Sequence, residues 1–213
     1  TAGTETSNFS GGGGIDTFSF NDARLTSADT VAGGDGVDIL SMSAASTQVD
    51  ADFTNVSSVE TLTQASGAQT TTLGSLADAA GIVTITGTGA AVDTLTVGAG
   101  FDNALTVNVA TGNDKIDASA SAAAINIAAA AASITTQDTL KGGTGANDTI
   151  TLTAGSDTAN IGTSVTGFET VTVAAATTHD IKITTKDENA TTSQALTVNA
   201  SALTNTAAAL TFT

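Results

Sequence analysis

The feature that most constrains the fold of this 213-residue chain is that its sequence repeats. The segment DTVAGGDGVD (29–38) returns, with one inserted residue, as DTLKGGTGAND (138–148). About twenty residues after the first segment, VETLT (59–63) occurs, and it returns as FETVT (168–172). The glycine-rich segment and the VETLT segment therefore both recur at an offset of 109 residues. A glycine-rich loop followed by a strand-like segment in the same order indicates an approximate tandem duplication.

The duplication indicates how the chain is organised. The copies stay in register over residues 29–64 and 138–173. Because a repeated unit buries its apolar face against neighbouring units, residues 1–213 are expected to form one elongated β-solenoid region. The final LTFT (210–213) keeps a strand-like alternation without a closing turn, so we expect the chain to be a segment of a larger protein.

A shorter period of nine residues lies inside the repeats. Each instance begins with an aspartate, continues through a short strand-like run, and reaches a second aspartate after Gly or Ala-Gly. Nine residues accommodate one turn and one short strand, which predicts an all-β fold. The aspartate pairs are Asp29 and Asp38, Asp93 and Asp102, and Asp148 and Asp157.

Local patterns agree with an all-β fold that has at most one or two short helices. Residues 73–80 could form two helical turns that end at Gly81, whereas residues 119–132 are compatible with either a helix or a pair of strands. Runs with β-branched residues at alternate positions predict strands. These runs are residues 82–86, 94–97, 149–153, 170–173 and 181–184.

Composition excludes several classes of function. Against 21 acidic side chains there are five basic ones, and a net charge of −16 gives the wrong field for a nucleic-acid partner. Without cysteine there is neither a disulfide framework nor a thiolate metal site. No apolar run approaches the roughly 20 residues of a membrane span. An enzyme is not expected, because a chain with one Arg and no Trp or Tyr can hardly build a carbohydrate-cleaving cleft.

The glycine-rich loops carry the chemistry. Residues 11–19 (GGGGIDTFS) and 33–41 (GGDGVDILS) fit the nonapeptide G-G-x-G-x-D-x-U-x, where U is a large apolar residue. Glycine allows the tight loop, and the aspartate at its sixth position supplies a negative charge before a short strand. The nonapeptide resembles the calcium-binding repeat of RTX proteins, and that resemblance implies Ca²⁺ as the ion. Ca²⁺ takes six to eight oxygen ligands, so one loop cannot complete a site and loops of stacked coils must share an ion.

Weaker relatives of the motif extend the list of candidate calcium ligands. Residues 142–148 carry one insertion, residues 98–102 keep GxGxD, and residues 111–116 keep only the end of the motif. Glu60 and Glu169, at equivalent positions of the two copies, could ligate calcium, cap a turn or face solvent. The predicted metal-site residues are Gly11, Gly13, Asp16, Asp29, Gly33, Asp35, Gly36, Asp38, Asp93, Asp102, Asp114, Asp138, Gly142, Thr144, Asn147, Asp148 and Asp157.

On these nonapeptides and the DTVAGGDGVDIL…SVETLT arrangement, about half of the chain resembles bacterial RTX-type surface proteins exported by type I secretion. It is most similar to S-layer proteins built from calcium-stapled β-solenoids. The resemblance implies a right-handed parallel β-solenoid, Ca²⁺ between coils, secretion in the unfolded state, and assembly at the bacterial cell surface. The chain departs from the family by lacking long nonapeptide arrays, which implies isolated or paired ions.

The function expected from these observations is that of a structural module. Calcium would complete its folding outside the cell, and copies would then assemble into an S-layer-like lattice or filament. Contacts with a cell-surface glycan or lipopolysaccharide are expected only through regions outside this segment.

The alternative is an adhesin or biofilm-matrix segment that binds a surface or glycan through Thr-rich faces. Such a face would need TxT units at a fixed coil spacing. The units are unevenly spaced along the sequence, which argues against an ordered planar array. They are Thr61/Thr63, Thr84/Thr86, Thr94/Thr96, Thr149/Thr151/Thr153 and Thr170/Thr172.

Overall fold

The chain is an all-β parallel solenoid of about seven turns, which confirms the predicted fold class. This computed structural model describes residues 6–21, 25–87, 89, 93–153, 158–174, 181–186, 195–202 and 210–212. Throughout the described residues, each strand pairs in parallel with the strand one turn before or after it.

Each turn contains short strands separated by turns and loops. In chain order they are β1 (Asn8–Gly13), β2 (Thr17–Phe20), β3 (Thr30–Asp35), β4 (Ile39–Met42), β5 (Thr47–Gln48), β6 (Val56–Ser57), β7 (Thr61–Thr63), β8 (Thr70–Leu73), β9 (Thr84–Thr86), β10 (Thr94–Val97), β11 (Leu105–Val109), β12 (Lys115–Asp117), β13 (Ile125–Ala129), β14 (Thr139–Lys141), β15 (Thr149–Leu152), β16 (Thr158–Asn160), β17 (Val165–Thr166), β18 (Thr170–Val173), β19 (Ile181–Thr184), β20 (Thr197–Asn199) and β21 (Leu210–Phe212). One α-helix, α1 (Ser75–Ala80), and two 3₁₀ turns (Asp50–Phe53 and Ala131–Ser133) complete the described elements.

The strands form four parallel sheets in the described part of the chain. The largest, which we call the long sheet, has nine strands in the order β2-β4-β7-β9-β11-β13-β15-β18-β20. A six-stranded sheet has the order β17-β14-β12-β10-β8-β5, and two three-stranded sheets have the orders β1-β3-β6 and β16-β19-β21. Coil length varies, since Thr106 pairs with Asn126 but Thr170 pairs with Thr197. The corners absorb this variation and the strands stay in register.

The core is a stack of inward-facing side chains. Every second residue of a long-sheet strand points inward, and burying one such side chain stabilises the fold by about 1.5–3 kcal/mol. Since the side-chain period is two, a slip of one residue would expose the whole column, which fixes the register. The column consists of Phe18, Leu40, Leu62, Ile85, Val107, Ile127, Ile150 and Val171.

The outward positions of the long sheet form two columns of small side chains, and no strand of this sheet contains Asp, Glu, Lys or Arg. Neighbouring strands in a sheet lie about 4.7–4.9 Å apart. The uneven spacing along the sequence therefore does not exclude an ordered array, because it lies in the corners: four TxT units align in the long sheet, whereas Thr94 and Thr96 lie in β10 of the six-stranded sheet. One column is Thr17, Ile39, Thr61, Thr84, Thr106, Asn126, Thr149, Thr170 and Thr197; the other is Ser19, Ser41, Thr63, Thr86, Asn108, Ala128, Thr151, Thr172 and Asn199.

Helix α1 lies where the sequence predicts one. Its first N–H groups are capped from the preceding coil, since Oδ1 of Asp50 accepts hydrogen bonds from the N–H groups of Gly74 at 2.8 Å and Ala77 at 2.9 Å. It ends at Gly81, whose φ of 100° is left-handed and favours glycine. Residues 119–132 resolve as a strand, β13, followed by the second 3₁₀ turn.

Candidate functional site

Two kinds of corner carry the predicted metal-site residues. We call the turns that lead into the long sheet the glycine corner. In the first three coils this corner consists of residues 11–16, 33–38 and 58–60, and in two later coils of residues 142–148 and 167–169. At this corner the coils contact one another through backbone, because glycine leaves no side chain between them.

A ladder of carboxylates joins the coils at the glycine corner. Oδ1 of Asp38 accepts a hydrogen bond from the N–H of Asp16 at 2.8 Å. One coil further on, Oε2 of Glu60 accepts a hydrogen bond from the N–H of Asp38 at 2.7 Å. Each acid thus satisfies a backbone N–H of the coil before it, and such charge-assisted bonds are stronger than neutral ones.

The second oxygen of Asp38 has no such partner. The Asp38 side chain is fully buried, and within the described residues its Oδ2 accepts no hydrogen bond. A Cβ added to Gly33 would overlap both this Oδ2 and the carbonyl oxygen of Ser58. Two acceptor oxygens therefore face the same small space without a donor between them, an arrangement that is costly unless a cation lies there.

The same geometry recurs 109 residues later. A Cβ on Gly142 would overlap the carbonyl oxygen of Gly167, as one on Gly33 would overlap that of Ser58. Both acceptor residues have positive φ, 51° at Ser58 and 77° at Gly167. The tandem blocks of the sequence therefore occupy equivalent places in the solenoid.

The acids of this second copy pair like those of the first. Oε2 of Glu169 accepts a hydrogen bond from the N–H of Asp148 at 2.6 Å, and the Asp148 carbonyl accepts one from the N–H of Glu169 at 3.1 Å. The inserted residue changes the outcome for the aspartate, because the N–H of Gly143 donates to Oδ2 of Asp148 at 2.7 Å. The unpartnered oxygen in this copy is instead Oε1 of Glu169, again counting only described residues.

Burial weakens the acidity of Asp148. Removal from water raises its pKa, hydrogen bonds from the N–H groups of Ile125 and Gly143 oppose this, and the nearby Glu169 carboxylate raises it further. Without a positive charge nearby, this environment therefore favours the protonated form of Asp148 more than water does.

Three further predicted aspartates lie at a second corner, before the strands of the six-stranded sheet. We call this the aspartate corner and define it by Asp93, Asp114 and Asp138 on three consecutive coils. Oδ1 of Asp114 accepts a hydrogen bond from the N–H of Asp93 at 3.1 Å, and Oδ1 of Asp138 accepts one from the N–H of Asp114 at 2.8 Å. The three acids form a second inter-coil ladder.

Asp29 in the first copy and Asp138 in the second share one local motif. Oδ2 of Asp29 accepts hydrogen bonds from the N–H and Oγ1 of Thr26 at 2.8 and 2.9 Å. Oδ2 of Asp138 accepts the equivalent pair from Thr135 at 2.6 and 3.0 Å. Burial alone would raise the pKa of Asp29, but the hydrogen bonds from Ser7 and Thr26 outweigh it and hold the pKa below its usual value.

Asp114 behaves differently from Asp29. Its side chain is only 5% exposed, and this burial is the main reason why its pKa rises to about 6. The N–H of Asp93 opposes the rise, whereas the carboxylates of Asp93 and Asp138 add to it.

The nine-residue spacing does not bring aspartates together. Asp29 lies before β3 and Asp38 before the long sheet, so the members of this pair occupy different corners. Asp93 is at the aspartate corner, whereas Asp102 is an exposed turn residue. The third pair includes Asp157, which lies outside the described residues. Nine residues separate two successive corners, which explains the period.

The remaining predicted residues also belong to the glycine corner, some of them at the ends of β1 and β3. Asp35 is exposed, and its carbonyl accepts a hydrogen bond from the N–H of Gly14 at 2.8 Å. Gly36 has a φ of 143° and packs on the Gly14 backbone. Thr144 donates through its N–H to the Ser121 carbonyl at 2.7 Å. The others keep places already described or lie nearby: Gly11 contacts Asp16 and the Gly33 carbonyl, Gly13 is exposed, and Asn147 donates its N–H to Glu169.

Sequence reasoning missed two further acids that accept hydrogen bonds from backbone N–H groups of a neighbouring coil. Asp50 caps α1, and Oδ1 of Asp78 accepts hydrogen bonds from the N–H groups of Asp102 at 2.8 Å and Asn103 at 2.6 Å. Neither follows a glycine pattern. Glu60 and Glu169 cap the preceding coil, one of the three roles that the sequence left open.

The donors at the glycine corner fit a hard cation. They are carboxylate and carbonyl oxygens, which Ca²⁺ prefers, and Oδ2 of Asp38 and the Ser58 carbonyl oxygen both lie against Gly33, where a Cβ would overlap them. Among the described residues no three acidic or histidine side chains converge to form a metal site, so carbonyl oxygens or water would have to complete the coordination.

Comparison of the chain with protein-family models, with curated proteins and with solved structures finds no match. Within the described residues, no helix is long and apolar enough to cross a membrane.

Proposed function

We propose that this chain is a structural module of an extracellular bacterial surface assembly, and that calcium bound at the glycine corner completes its fold. The observation that carries the proposal is the fully buried, unpartnered Oδ2 of Asp38, which faces the same space as the Ser58 carbonyl. The nonapeptide resemblance points to the same ion at the same loop.

The mechanism is a folding switch. Without the ion, the charge of −16 and the buried acids oppose compaction, and the glycine loops lose much backbone entropy when they order. An ion that binds only the folded chain adds RT ln(1 + [Ca²⁺]/Kd) to stability, about 2.7 kcal/mol at a hundredfold excess over Kd. Calcium outside the cell would therefore drive coil stacking, and the chain would stay unfolded during type I secretion.

The distribution of charge supports self-assembly. Most of the described acids lie at the corners, whereas the outer face of the long sheet has no charged side chain in its strands. Calcium at the corners would reduce repulsion between copies and allow them to meet in a lattice or filament.

Calcium titration followed by far-UV circular dichroism tests the folding switch. We expect the chain to lose β signal and melting temperature in excess chelator and to regain both in millimolar Ca²⁺, while Mg²⁺ acts weakly. An unchanged spectrum and melting temperature in chelator would contradict the proposal. Negative-stain microscopy with and without Ca²⁺ tests whether ordered sheets or fibres form.

The Asp38→Asn variant tests whether the calcium response depends on Oδ2 of Asp38. An Asn can keep an acceptor for the Asp16 N–H and place an N–H₂ donor toward the Ser58 carbonyl. The calcium response at this corner should be lost, and stability in chelator should rise by about 1 kcal/mol. The control is Asp117→Asn, on β12 away from the glycine corner, which should keep the wild-type response. An undiminished calcium response of Asp38→Asn would exclude this site.

The two outer columns of the long sheet favour a second candidate, an adhesin-like module that binds an uncharged, hydroxylated surface such as an insoluble glycan. The columns repeat with the coils and present Thr hydroxyl and methyl groups without interposed charge. Exposed Thr-rich surface is a poor hydrophobic interface, so a hydroxylated partner suits it better than an apolar one.

Cosedimentation with insoluble polysaccharides tests this candidate. Lys at Thr61 and Thr84, two half-exposed positions of one column, should abolish binding by charging the face. Lys at Thr96, which is exposed on the six-stranded sheet, is the matched control and should bind as the wild type does. Equal binding by both variants would contradict a role for the long sheet.

A further inference from the structure

The outer face of the long sheet differs from the other sheets in charge. Each of the other three sheets contains a charged residue in its strands, such as Asp35 in β3, Lys115 in β12 and Lys182 in β19. The long sheet contains none in any of its nine strands. Among the described sheets, it is therefore the one whose strands present no formal charge to another molecule.

The two edges of this face are not alike. Five of its nine strands are directly preceded by an acid, whereas none of the nine is directly followed by a charged residue. Because the strands run parallel, the acids lie along one edge, which we call the acidic edge, and the opposite side is the neutral edge. The five acids are Asp16, Asp38, Glu60, Asp148 and Glu169.

Charge indicates which kind of partner fits this face. Each copy of the chain has a net charge of −16, so two copies repel each other and approach most easily where neither presents a carboxylate. The long sheet offers such a surface on both copies. Its columns consist mainly of Thr, Ser and Asn, whose side chains both donate and accept hydrogen bonds, so the columns of a second copy can satisfy them.

A second copy also matches the face in spacing. Strands recur at about 4.7–4.9 Å in both copies, so each coil of one can meet a coil of the other along the whole sheet. Nine strands of three to five residues form a face of roughly 40 Å by 12 Å, so that two copies would bury roughly 1,000 Å² in total. This area is at the low end for specific interfaces, which suits a weak contact that an assembly repeats many times.

We propose that two copies of this chain pack face to face through their long sheets, related by a two-fold axis parallel to the solenoid axis. This axis reverses the strand direction between the copies, so the acidic edge of each lies over the neutral edge of the other. A two-fold axis parallel to the strands would instead bring the two acidic edges together, which like charges oppose. The pairing presupposes the proposed self-assembly and gives it a defined surface.

The orientation predicts which residues meet. Under the proposed axis, each coil of one copy lies opposite the same coil of the other, and the two outer columns exchange places. Thr61 of one copy therefore lies opposite Thr63 of the other, because these two residues belong to different columns of the same coil. Under the alternative axis, each column would lie opposite itself.

Cross-linking between introduced cysteines tests this arrangement, because the chain has no cysteine of its own. Thr61→Cys chains mixed with isotope-labelled Thr63→Cys chains in millimolar Ca²⁺ should form a cross-linked heterodimer with a short bismaleimide. Each variant alone should cross-link several-fold less, because neither residue faces itself. Thr96→Cys, exposed on the six-stranded sheet, is the matched control and should give no comparable product.

Sedimentation velocity measures the same contact without a cross-linker. The wild type should dimerise more strongly as NaCl is raised, because salt screens the repulsion between two chains of charge −16 and the proposed contact contains no ion pair to weaken. Glu at both Thr63 and Thr86 should remove the dimer by placing like charges in the contact. Thr96→Glu adds charge on another sheet and should keep the dimer. Far-UV circular dichroism checks that each variant folds.

The outcomes separate this pairing from the proposed function. Ordered sheets or fibres without cross-linking between Thr61→Cys and Thr63→Cys would keep the proposed self-assembly and overturn the pairing. Thr61→Cys chains that cross-link to one another as well as to Thr63→Cys chains would overturn the axis. A wild type that stays monomeric at every salt concentration would overturn the dimer, even if it binds an insoluble polysaccharide. A dimer that forms equally in chelator would support the pairing and contradict the folding switch.

Discussion

The glycine corner and the aspartate corner both join successive coils through carboxylates, but the groups around those carboxylates differ. At both, a carboxylate accepts a backbone N–H of the preceding coil, as Asp38 does for Asp16 and Asp138 does for Asp114. At the glycine corner the coils touch through backbone, and the second oxygen of Asp38 lies with the Ser58 carbonyl oxygen against Gly33. At the aspartate corner the acids themselves stack. The hydrogen bond from a backbone N–H to a carboxylate of the next coil thus occurs at both corners. The corners differ in what surrounds the second oxygen of that carboxylate.

The largest effect should come from adding a methyl group where the coils touch. Gly33→Ala would press Cβ against the Ser58 carbonyl and Oδ2 of Asp38, and we expect a loss of about 3 kcal/mol or more in the free energy of unfolding. Gly13→Ala has open space and no positive φ, so its effect should be below about 1 kcal/mol. Urea unfolding followed by circular dichroism measures both. Equal losses would show that the coils are not in backbone contact.

The aspartate corner should respond to pH in calcium-free buffer. Because the folded pKa of Asp114 is about 6 and its ordinary value is 3.8, the folded chain holds its proton more tightly than the unfolded chain. Stability therefore falls as pH rises from about 4 to about 6, by at most about 3 kcal/mol, and then levels off. Asp114→Asn should flatten this part of the curve. A profile that rises through this window in the wild type, with no change in Asp114→Asn, would contradict the cause given.

In the two copies of the glycine corner, replacing the aspartate by Asn should change the free energy of unfolding in opposite directions. Asp38→Asn replaces an unpartnered oxygen, whereas Asp148→Asn weakens the bond from Gly143 to Oδ2 and the bond from Ile125 to Oδ1. In chelator, Asp148→Asn should lose about 2 kcal/mol while Asp38→Asn gains about 1 kcal/mol. Thermal unfolding of the two variants side by side measures the difference. Losses of equal size would mean that the inserted residue does not distinguish the copies.

The smallest expected effect concerns the Thr–Asp motif that the two copies share. Thr26→Val and Thr135→Val each remove a side-chain hydrogen bond to an aspartate and should cost about 1 kcal/mol. Thr111→Val, at the same spacing before Asp114, should cost less than about 0.5 kcal/mol because the exposed Thr111 makes no such bond. Chemical denaturation resolves the three. A loss at Thr111 as large as at Thr135 would contradict the difference between the two coils.

Local features could be predicted from the sequence, and distant pairings could not. Strand runs such as residues 94–97 and 170–173 and the stop at Gly81 follow from nearest-neighbour chemistry. The carboxylate ladders depend on which residues face each other one coil away. That distance is 20 residues from Thr106 to Asn126 but 27 from Thr170 to Thr197, so no fixed period reveals it.

The same irregularity explains the uneven spacing of the TxT units along the sequence. The number of residues between two TxT units includes the corners, whose length varies. In the long sheet the units are separated only by the constant distance between strands, so units that are unevenly spaced in sequence are evenly spaced in the sheet. It also explains why Asp50 and Asp78 were overlooked, since each caps a segment more than twenty residues away.

The long sheet also determines how the molecule would respond to a pulling force. A pull on its two ends runs along the stack, so the hydrogen bonds between coils bear the load in series and the terminal coil yields first. The coil from β2 to β4 contains 22 residues, and releasing it lengthens the chain by roughly 70 Å. Under tension the solenoid would therefore lengthen in steps, and an ion that joins two coils would act as a local lock against the next step.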